Sequence, residues 1–279
     1  MIVIADSGST KTEWAFIASP KKTPIKLKTI GLNPLFIDSA TIASTLSDDF
    51  SEIETKNIKK VYFFGASCSS QERCAVIQKG LQPVFPNADI STNHDMLGAA
   101  VGLFGQQRGL AVILGTGSNS ALYNGKTITK NIPALGYILG DEGSGAYFGL
   151  QLVKSFLNNT MPFDLQKHFE ETYHFDKDTI FDSVYSKPFP NRYLAGFAPF
   201  LSTHRTHSFV HEMLLNGFDD FFKLHILPYE DFSDYPLGSI GSIGFYFSEE
   251  LQEVAHRYNC RFEKILQSPM EGLLFQLNK

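Results

Sequence analysis

Cysteine is scarce and unpatterned in this chain of 279 residues: Cys68, Cys74 and Cys260 form an odd, scattered set with no C-x-x-C spacing. That excludes a disulfide framework and suits reduced thiols in a cytosol. No apolar run is long enough to span a bilayer. No run of Lys and Arg is present and the formal net charge is −5, which argues against a general binder of nucleic acid or of anionic membranes. The N-terminus enters an apolar strand pattern at once, without a basic leader or a cleavable apolar segment, so a cytoplasmic location is expected and the sequon Asn158-Asn159-Thr160 reads as coincidental. Two common nucleotide signatures are also missing. The glycine-rich turns match neither the Walker pattern G-x-x-x-x-G-K-[ST] nor G-x-G-x-x-G ahead of a helix.

What is present is a pair of strand–turn–strand units built on small residues, one in each half of the chain. In MIVIADSGSTKTEWAFI, residues 1 to 17, a short apolar strand runs into Asp6, a Ser/Gly/Thr turn follows, and a second strand begins near Thr12. Gly8 permits a positive φ, and small side chains let backbone amides approach an anion. Asp6 is the residue type that holds Mg²⁺ through water, and Lys11 is placed to meet a terminal phosphate. Read alone, this segment is equally a hairpin whose turn happens to be rich in Gly and Ser. LAVILGTGSNSALYNG, residues 110 to 125, repeats the pattern: buried strand, Gly115-Thr116-Gly117-Ser118 turn, and a return from Asn119 to Tyr123. Two such units suggest a duplicated architecture in which each half offers a loop of N–H groups to a nucleotide's phosphates.

Hydrophobic periodicity places further elements. Strands are expected near 25–30, 61–64 and 88–91, and amphipathic helices over 39–54, 70–81 and 96–104. A polar break at 106–109 precedes the second hairpin and marks a domain change. Beyond it, helices are expected near 144–157, 163–172, 191–202, 208–226, 244–258 and 270–278, with a strand near 236–241. Phe197, Phe200, Phe209, Phe218, Phe221 and Phe222 have the spacing of helix packing more than of base binding.

With four segments in order, the chain resembles the actin, sugar-kinase and heat-shock-chaperone superfamily of ATPases, and within it the N-acetylglucosamine kinase branch grouped with the BadF/BadG-type ATPases. Asp6 to Thr12 resembles the first phosphate loop, and Leu114-Gly-Thr-Gly-Ser-Asn119 the second. GYILGDEGSGAYFG, residues 136 to 149, resembles the sugar-contacting segment, and Gly241-Ser-Ile-Gly244 the adenosine loop. Together they span nearly the whole chain. The resemblance implies an α/β fold of two ribonuclease H-like domains, a duplicated actin-like ATPase fold with an interdomain cleft. Residues 1–107 with 264–279 would form the first domain and 108–263 the second, with extra helices.

The resemblance also implies roles. Asp6, Ser9, Thr10 and Lys11 would serve the Mg²⁺ and the β/γ-phosphates, Thr116 and Gly117 the phosphates from the other domain, and Gly241 with Ser242 the adenosine. Gly238-Ser-Ile-Gly241 fits the same pattern, so this loop has two registers. Asn33, Ser67, Ser118, Asn119, Gly136 and Asp141 would contact the sugar, with the Ser67 register open by about two residues. Asp95 is the candidate base: a sugar hydroxyl must lose its proton as its oxygen attacks the γ-phosphorus, and a carboxylate at a strand end can accept it. Asp95 and Asp141 each have a plain alternative as helix N-caps, and Glu142 as a partner of backbone groups. His94 reads as a packed or solvent-facing ring, and His204, His207 and His211 as a polar helix edge more than a metal site.

The expected function is an ATP- and Mg²⁺-dependent amino-sugar kinase acting on N-acetylglucosamine at its 6-hydroxyl, with homodimers common among relatives. Alternatives are a kinase for N-acetylmuramic acid, glucosamine or glucose, an ATP-driven activator carrying an iron–sulfur cluster between subunits, and a non-catalytic sugar sensor. Cys68 and Cys74 lack the sequence context of the activator. The sensor would need a DNA-binding segment, which the early hairpin leaves no room for.

Overall fold

The structure is a computed structural model and describes residues 1–8, 11–19, 22–174 and 177–278. The chain divides into two compact units, Met1–Gln107 with Asn124–Thr127 and Ser268–Lys279, and Arg108–Tyr123 with Ile128–Gln267.

The first unit is built on β1 (Ile2–Ser7), β2 (Lys11–Ile17), β3 (Ile25–Ile30), β4 (Lys60–Gly65) and β5 (Asp89–His94), in the order β3-β2-β1-β4-β5. β1 and β2 pair antiparallel, as do β2 and β3, whereas β4 and β5 continue parallel to β1. Helices cover both faces, and the strands alternate accordingly. Val3, Ala5, Trp14, Phe16, Val61 and Phe63 face a core shared with Ile42 and Leu46 of α1 (Ser39–Asp49) and Ile77 and Leu81 of α2 (Gln71–Val84). Ile4, Ala15, Ile17 and Phe64 face the opposite layer, with Leu97 and Val101 of α3 (Asp95–Phe104) and with Met270 and Leu273 of the terminal helix Met270–Leu277. Burying a side chain of this size contributes about 1.5–3 kcal/mol. The first helix is shorter than its periodicity predicts. It stops at Asp49 because Phe50 leaves helical geometry to pack edge-on against Trp14, 5.1 Å between ring centroids.

The second unit repeats the topology. β6 (Gly109–Leu114), β7 (Ser118–Tyr123), β8 (Ile128–Ile132), β9 (Leu237–Ile240) and β10 (Phe262–Leu266) stand in the order β10-β9-β6-β7-β8, with β6/β7/β8 antiparallel and β6/β9/β10 parallel. The two sheets therefore correspond strand for strand, β6 to β1 and so on outward. The outermost strands, β8 and β10, were not expected from sequence. β8 is short, polar and largely exposed, and β10 is five residues long with Glu263 and Lys264 adjacent inside it, so neither shows an apolar period.

Nine α-helices of the second unit follow β8 among the described residues: α4 (Gly136–Leu139), α5 (Gly145–Leu157), α6 (Phe163–Tyr173), α7 (Lys177–Phe181), α8 (Pro190–Ala195), α9 (Ala198–Thr203), α10 (Ser208–Phe221), α11 (Ser242–Tyr246) and α12 (Ser248–Arg257). The single helix expected over 191–202 is two, broken at Gly196 and Phe197, since Pro199 in the first turn of α9 has no N–H to continue the α8 ladder. The helix expected over 244–258 is likewise interrupted by buried Phe247. Phe197, Phe200, Phe218, Phe221 and Phe222 lie in the core, with Phe209 packed against it. No helix among the described residues is long and apolar enough to cross a membrane.

Candidate active site

In the first unit the carboxyl ends of the parallel strands converge. Ser7, Gly65 and His94 lie side by side in register at the ends of β1, β4 and β5. Asp6 precedes the first and Asp95 follows the last. Open α/β sheets collect ligands at this edge.

A buried chain of hydroxyls organises the hairpin. Thr12 Oγ1 donates to the Ile30 carbonyl at 2.8 Å, Ser7 Oγ lies 2.8 Å from Thr12 Oγ1, and the Leu32 N–H donates to Ser7 Oγ at 3.0 Å. With Ser7 donating to Thr12, every group in the relay is satisfied in one direction, the arrangement in which successive bonds strengthen one another. The relay ties the hairpin to the turn bearing Asn33. Asn33 is buried, and its Oδ1 accepts the Leu35 N–H at 3.0 Å, so part of its side chain shapes its own turn. The Ser7 carbonyl accepts the Ala66 N–H at 2.8 Å, which brings in the neighbouring loop. There Ser67 sits at φ 64°, a left-handed conformation that a non-glycine residue adopts at a cost. Sequence reasoning passed over Ser7 and Thr12. Their signal is two hydroxyls at inward positions of otherwise apolar strands.

The helix after β5 is capped by His94, not by Asp95. His94 Nδ1 accepts the Leu97 N–H at 3.1 Å. This accounts for His94, whose imidazole is held below its usual pKa by burial, with Asp95 opposing, and so keeps the lone pair that the cap needs. Asp95 is the first helical residue, and its Oδ1 accepts the adjacent Met96 N–H at 2.8 Å. Its carboxyl is held above the usual range by burial, with the Met96 amide and His94 opposing.

Asp6 feels Asp95 directly. Its pKa is pushed up to about 7, first by burial, then by the charges of Asp95 and of Glu13, its register partner across β1/β2, against Lys11. A divalent cation would relieve this crowding of carboxylates, so the donor set fits Mg²⁺. Among the described residues no three His, Cys, Asp or Glu side chains gather to hold a metal ion alone. An ion held by Asp6 would therefore draw most of its shell from water and phosphate. Lys11 is exposed and its Nζ lies 3.1 Å from Glu13 Oε1, a contact it would exchange for a phosphate oxygen. Ser9 and Thr10, expected at the phosphates, lie outside the described residues.

In the second unit the Gly115–Ser118 turn meets two other segments. Asp141 Oδ1 accepts the Ser118 N–H at 3.2 Å, and a Cβ on Gly117 would stand only 3.0 Å from Asp141 Oδ2. Asp141 is buried at φ 59° and does not cap the following helix: Ser144 does, accepting the Tyr147 N–H at 3.1 Å. The Asp141 carboxyl is held above its usual range by burial and by Glu142, against the Ser118 amide and His225. Ser118 Oγ is buried without a hydrogen-bond partner among the described residues, a hydroxyl suited to a ligand. Thr116 is exposed at the turn, and its carbonyl accepts the Ala146 N–H at 3.0 Å.

Gly241 adjoins the same turn. Its φ is 126°, and a Cβ there would lie 2.2 Å from the Leu114 carbonyl, so this position requires glycine. Gly238 instead lies inside β9 and Ser242 opens α11, which selects the Gly241–Gly244 register. The structure thus brings Thr116, Gly117, Ser118, Asp141 and Gly241 together. Asn119 is adjacent, but its Oδ1 is occupied by the Ser120 N–H and Asn131 Nδ2, both at 2.9 Å. Gly136 is exposed at the start of α4. A second member that sequence reasoning missed is His225, whose Nε2 lies 3.0 Å from Glu142 Oε2. It is 83 residues from Glu142 in sequence and has no local signature.

Over its whole length the chain is 40% identical to a Porphyromonas gingivalis protein that bears the provisional name N-acetylglucosamine kinase, covering 99% of that chain with a TM-score of 0.94. A Chromobacterium violaceum protein of the same provisional name is 20% identical, with 99% and 98% of the two chains covered and a TM-score of 0.75. A ROK family glucokinase from Streptomyces griseus, solved with glucose and AMPPNP, is 13% identical, with 99% and 97% covered and a TM-score of 0.56. These last two are alike in fold. No family model and no curated protein sequence matches the chain.

Proposed function

The chain belongs to the N-acetylglucosamine kinase-like family of the actin-like ATPase superfamily, and from that premise we propose that it is an ATP- and Mg²⁺-dependent kinase of an amino sugar, N-acetylglucosamine at its 6-hydroxyl. The observation that carries this reading is the pairing of Asp95 with Asp6 at the carboxyl edge of the first sheet.

Asp95 accepts the hydroxyl proton as the sugar oxygen attacks the γ-phosphorus, and burial makes its carboxylate a stronger base than a solvated one. Because His94 takes the capping role, the carboxylate of Asp95 is committed to the helix through one oxygen only. Asp6 holds the Mg²⁺, which when bound neutralises charge on the phosphate oxygens. Lys11, the amides of the Gly115–Ser118 turn and Gly241 hold the nucleotide, in keeping with a transfer that asks the protein chiefly for position and charge. Asn33, Ser67, Ser118 and Asp141 hold the sugar.

The test is ATP consumption by the purified protein with Mg²⁺ against N-acetylglucosamine, N-acetylmannosamine, N-acetylmuramic acid, glucosamine and glucose, with products identified by mass. Turnover with N-acetylglucosamine giving its 6-phosphate is expected. ATP binding without turnover on any sugar would overturn the reading.

A further inference from the structure

Helix α10 does not end cleanly. Its continuation, Phe222–Ile226, is widened into a π turn in which the Leu227 N–H reaches back to the Phe222 carbonyl at 2.9 Å. Such turns recur at functional sites. Here the widened turn places His225 in the interior, 4% exposed, with its ring 5.2 Å from that of Phe221 and nearly parallel to it. The His225 carbonyl accepts Ser120 Oγ at 2.8 Å, and Nε2 meets Glu142 Oε2 at 3.0 Å. With Nε2 donating to the carboxylate, Nδ1 keeps its lone pair and lies buried without a partner.

Glu142 sits in the turn between α4 and α5, and that turn is held from two sides. Asp141 Oδ1 takes the Ser118 amide, and the Gly145 N–H donates to the Gly115 carbonyl at 2.8 Å, which fixes it to the β6/β7 hairpin. His225 fixes it from the other side. The Glu142 side chain is 16% exposed, and its second oxygen, Oε1, has no hydrogen-bond partner among the described residues. A half-buried carboxylate with one oxygen tied and one available, next in sequence to a second buried carboxylate, is a pair of acceptors for ligand hydroxyls.

We infer that His225 is a positioning residue for the sugar: by donating to Glu142 Oε2 it presents Glu142 Oε1, beside Asp141, as an acceptor for a hydroxyl of the substrate. This rests on the kinase reading. Removing the donor leaves the carboxylate free to turn away and loosens the sugar without touching the nucleotide.

The experiment is steady-state kinetics in both N-acetylglucosamine and ATP for the wild type, His225→Phe, Glu142→Gln and the double variant, with His225→Gln as the replacement that keeps an N–H donor. His225→Phe keeps the stacking on Phe221 and loses only the donor. It is expected to raise the sugar KM about 10-fold, the loss of one hydrogen bond to a charged group, while moving the ATP KM less than about 2-fold. His225→Gln should restore most of the lost sugar affinity. The double variant should be no worse than the weaker single, since both changes act through one carboxylate. An unchanged sugar KM in His225→Phe, equal effects on both substrates, or additive losses in the double variant would overturn the inference. Should His225→Phe fail to fold, Glu142→Gln decides: a raised sugar KM supports the role and an unchanged one overturns it. A wild type that turns over no amino sugar sinks the kinase reading and this inference with it, whereas turnover insensitive to His225 removes only the latter.

Discussion

The Leu32 N–H donates to the buried hydroxyl of Ser7 at 3.0 Å, across 25 residues of sequence. That bond joins the end of β1 to the turn bearing Asn33, and the Ser7 carbonyl joins it to the loop bearing Ser67. One small side chain thus sets the spacing of three segments proposed to hold phosphate and sugar.

Ser7→Ala leaves the Leu32 N–H buried and unpaired and breaks the relay through Thr12. It should cost about 1–3 kcal/mol in stability, the penalty for orphaning a buried donor. Denaturant unfolding measures the cost. Kinetics should show a higher sugar KM with little change in kcat, since Asp95 opens α3 beyond the end of β5. An equal loss in both parameters would mean that Ser7 supports the fold and not the sugar turn.

Asp95→Asn should keep sugar binding and lose turnover by about 10²-fold or more, the range of a lost general base. The substitution is well suited to the question. His94 caps α3, so the amide removes charge without removing the cap, and because burial disfavours that charge the melting temperature at neutral pH should hold or rise. Near-normal turnover would take Asp95 out of the mechanism. A large fall in stability with proportionate loss of activity would assign it to the helix instead.

The parts of this arrangement that were readable in sequence are those written in neighbouring residues. The short apolar runs of β1 and β4, the two glycine-rich turns, and Gly140-Asp141-Glu142 each announce themselves within a few positions. The plain alternative of a helix cap falls away for both carboxylates on local geometry: His94 takes the Leu97 amide in place of Asp95, and Ser144 takes that of Tyr147 in place of Asp141. β8 and β10 are edge strands of five residues, in which polar or charged neighbours interrupt any apolar period. His225 could not be found from sequence at all, because a π turn after a long helix determines which way it faces.

Arg205 and Glu250 form a part-buried ion pair between the α9–α10 connection and α12, with Arg205 Nε 2.5 Å from Glu250 Oε1 and Nη2 2.7 Å from Oε2. The Glu250 side chain is 4% exposed, whereas that of Arg205 is 27% exposed. Arg205→Met leaves the buried carboxylate with only the His211 ring, Nδ1 3.9 Å from Oε1, and should cost about 3 kcal/mol, the lower end for a broken buried pair because Arg205 is partly solvated. The double variant Arg205→Met, Glu250→Leu should recover most of that loss, since it removes the uncompensated charge along with the pair. Urea midpoints for the singles and the double measure this. Equal losses in the double and in Arg205→Met would show that packing, not charge, fixes this corner.

Asp6 gives the molecule a pH dependence of unusual sign. Its carboxyl is raised from 3.8 to about 7, chiefly by burial and then by Asp95 and Glu13. Between those values the folded chain keeps a proton that the unfolded chain has released, so Asp6 makes stability fall as pH rises from about 4 to about 7, and the penalty is then level. Asp6→Asn removes it. Without nucleotide the variant should melt higher than the wild type at about pH 8, and the two should converge toward pH 4. Mg²⁺ and ATP act the other way, because they need the charged carboxylate that burial disfavours. The wild type should gain melting temperature when both are added and Asp6→Asn should gain little, so the stabilised variant is the inactive one. A variant that melts lower at about pH 8, yet still responds to Mg²⁺ and ATP as the wild type does, would make Asp6 a structural anchor of β1 and return the metal to other ligands.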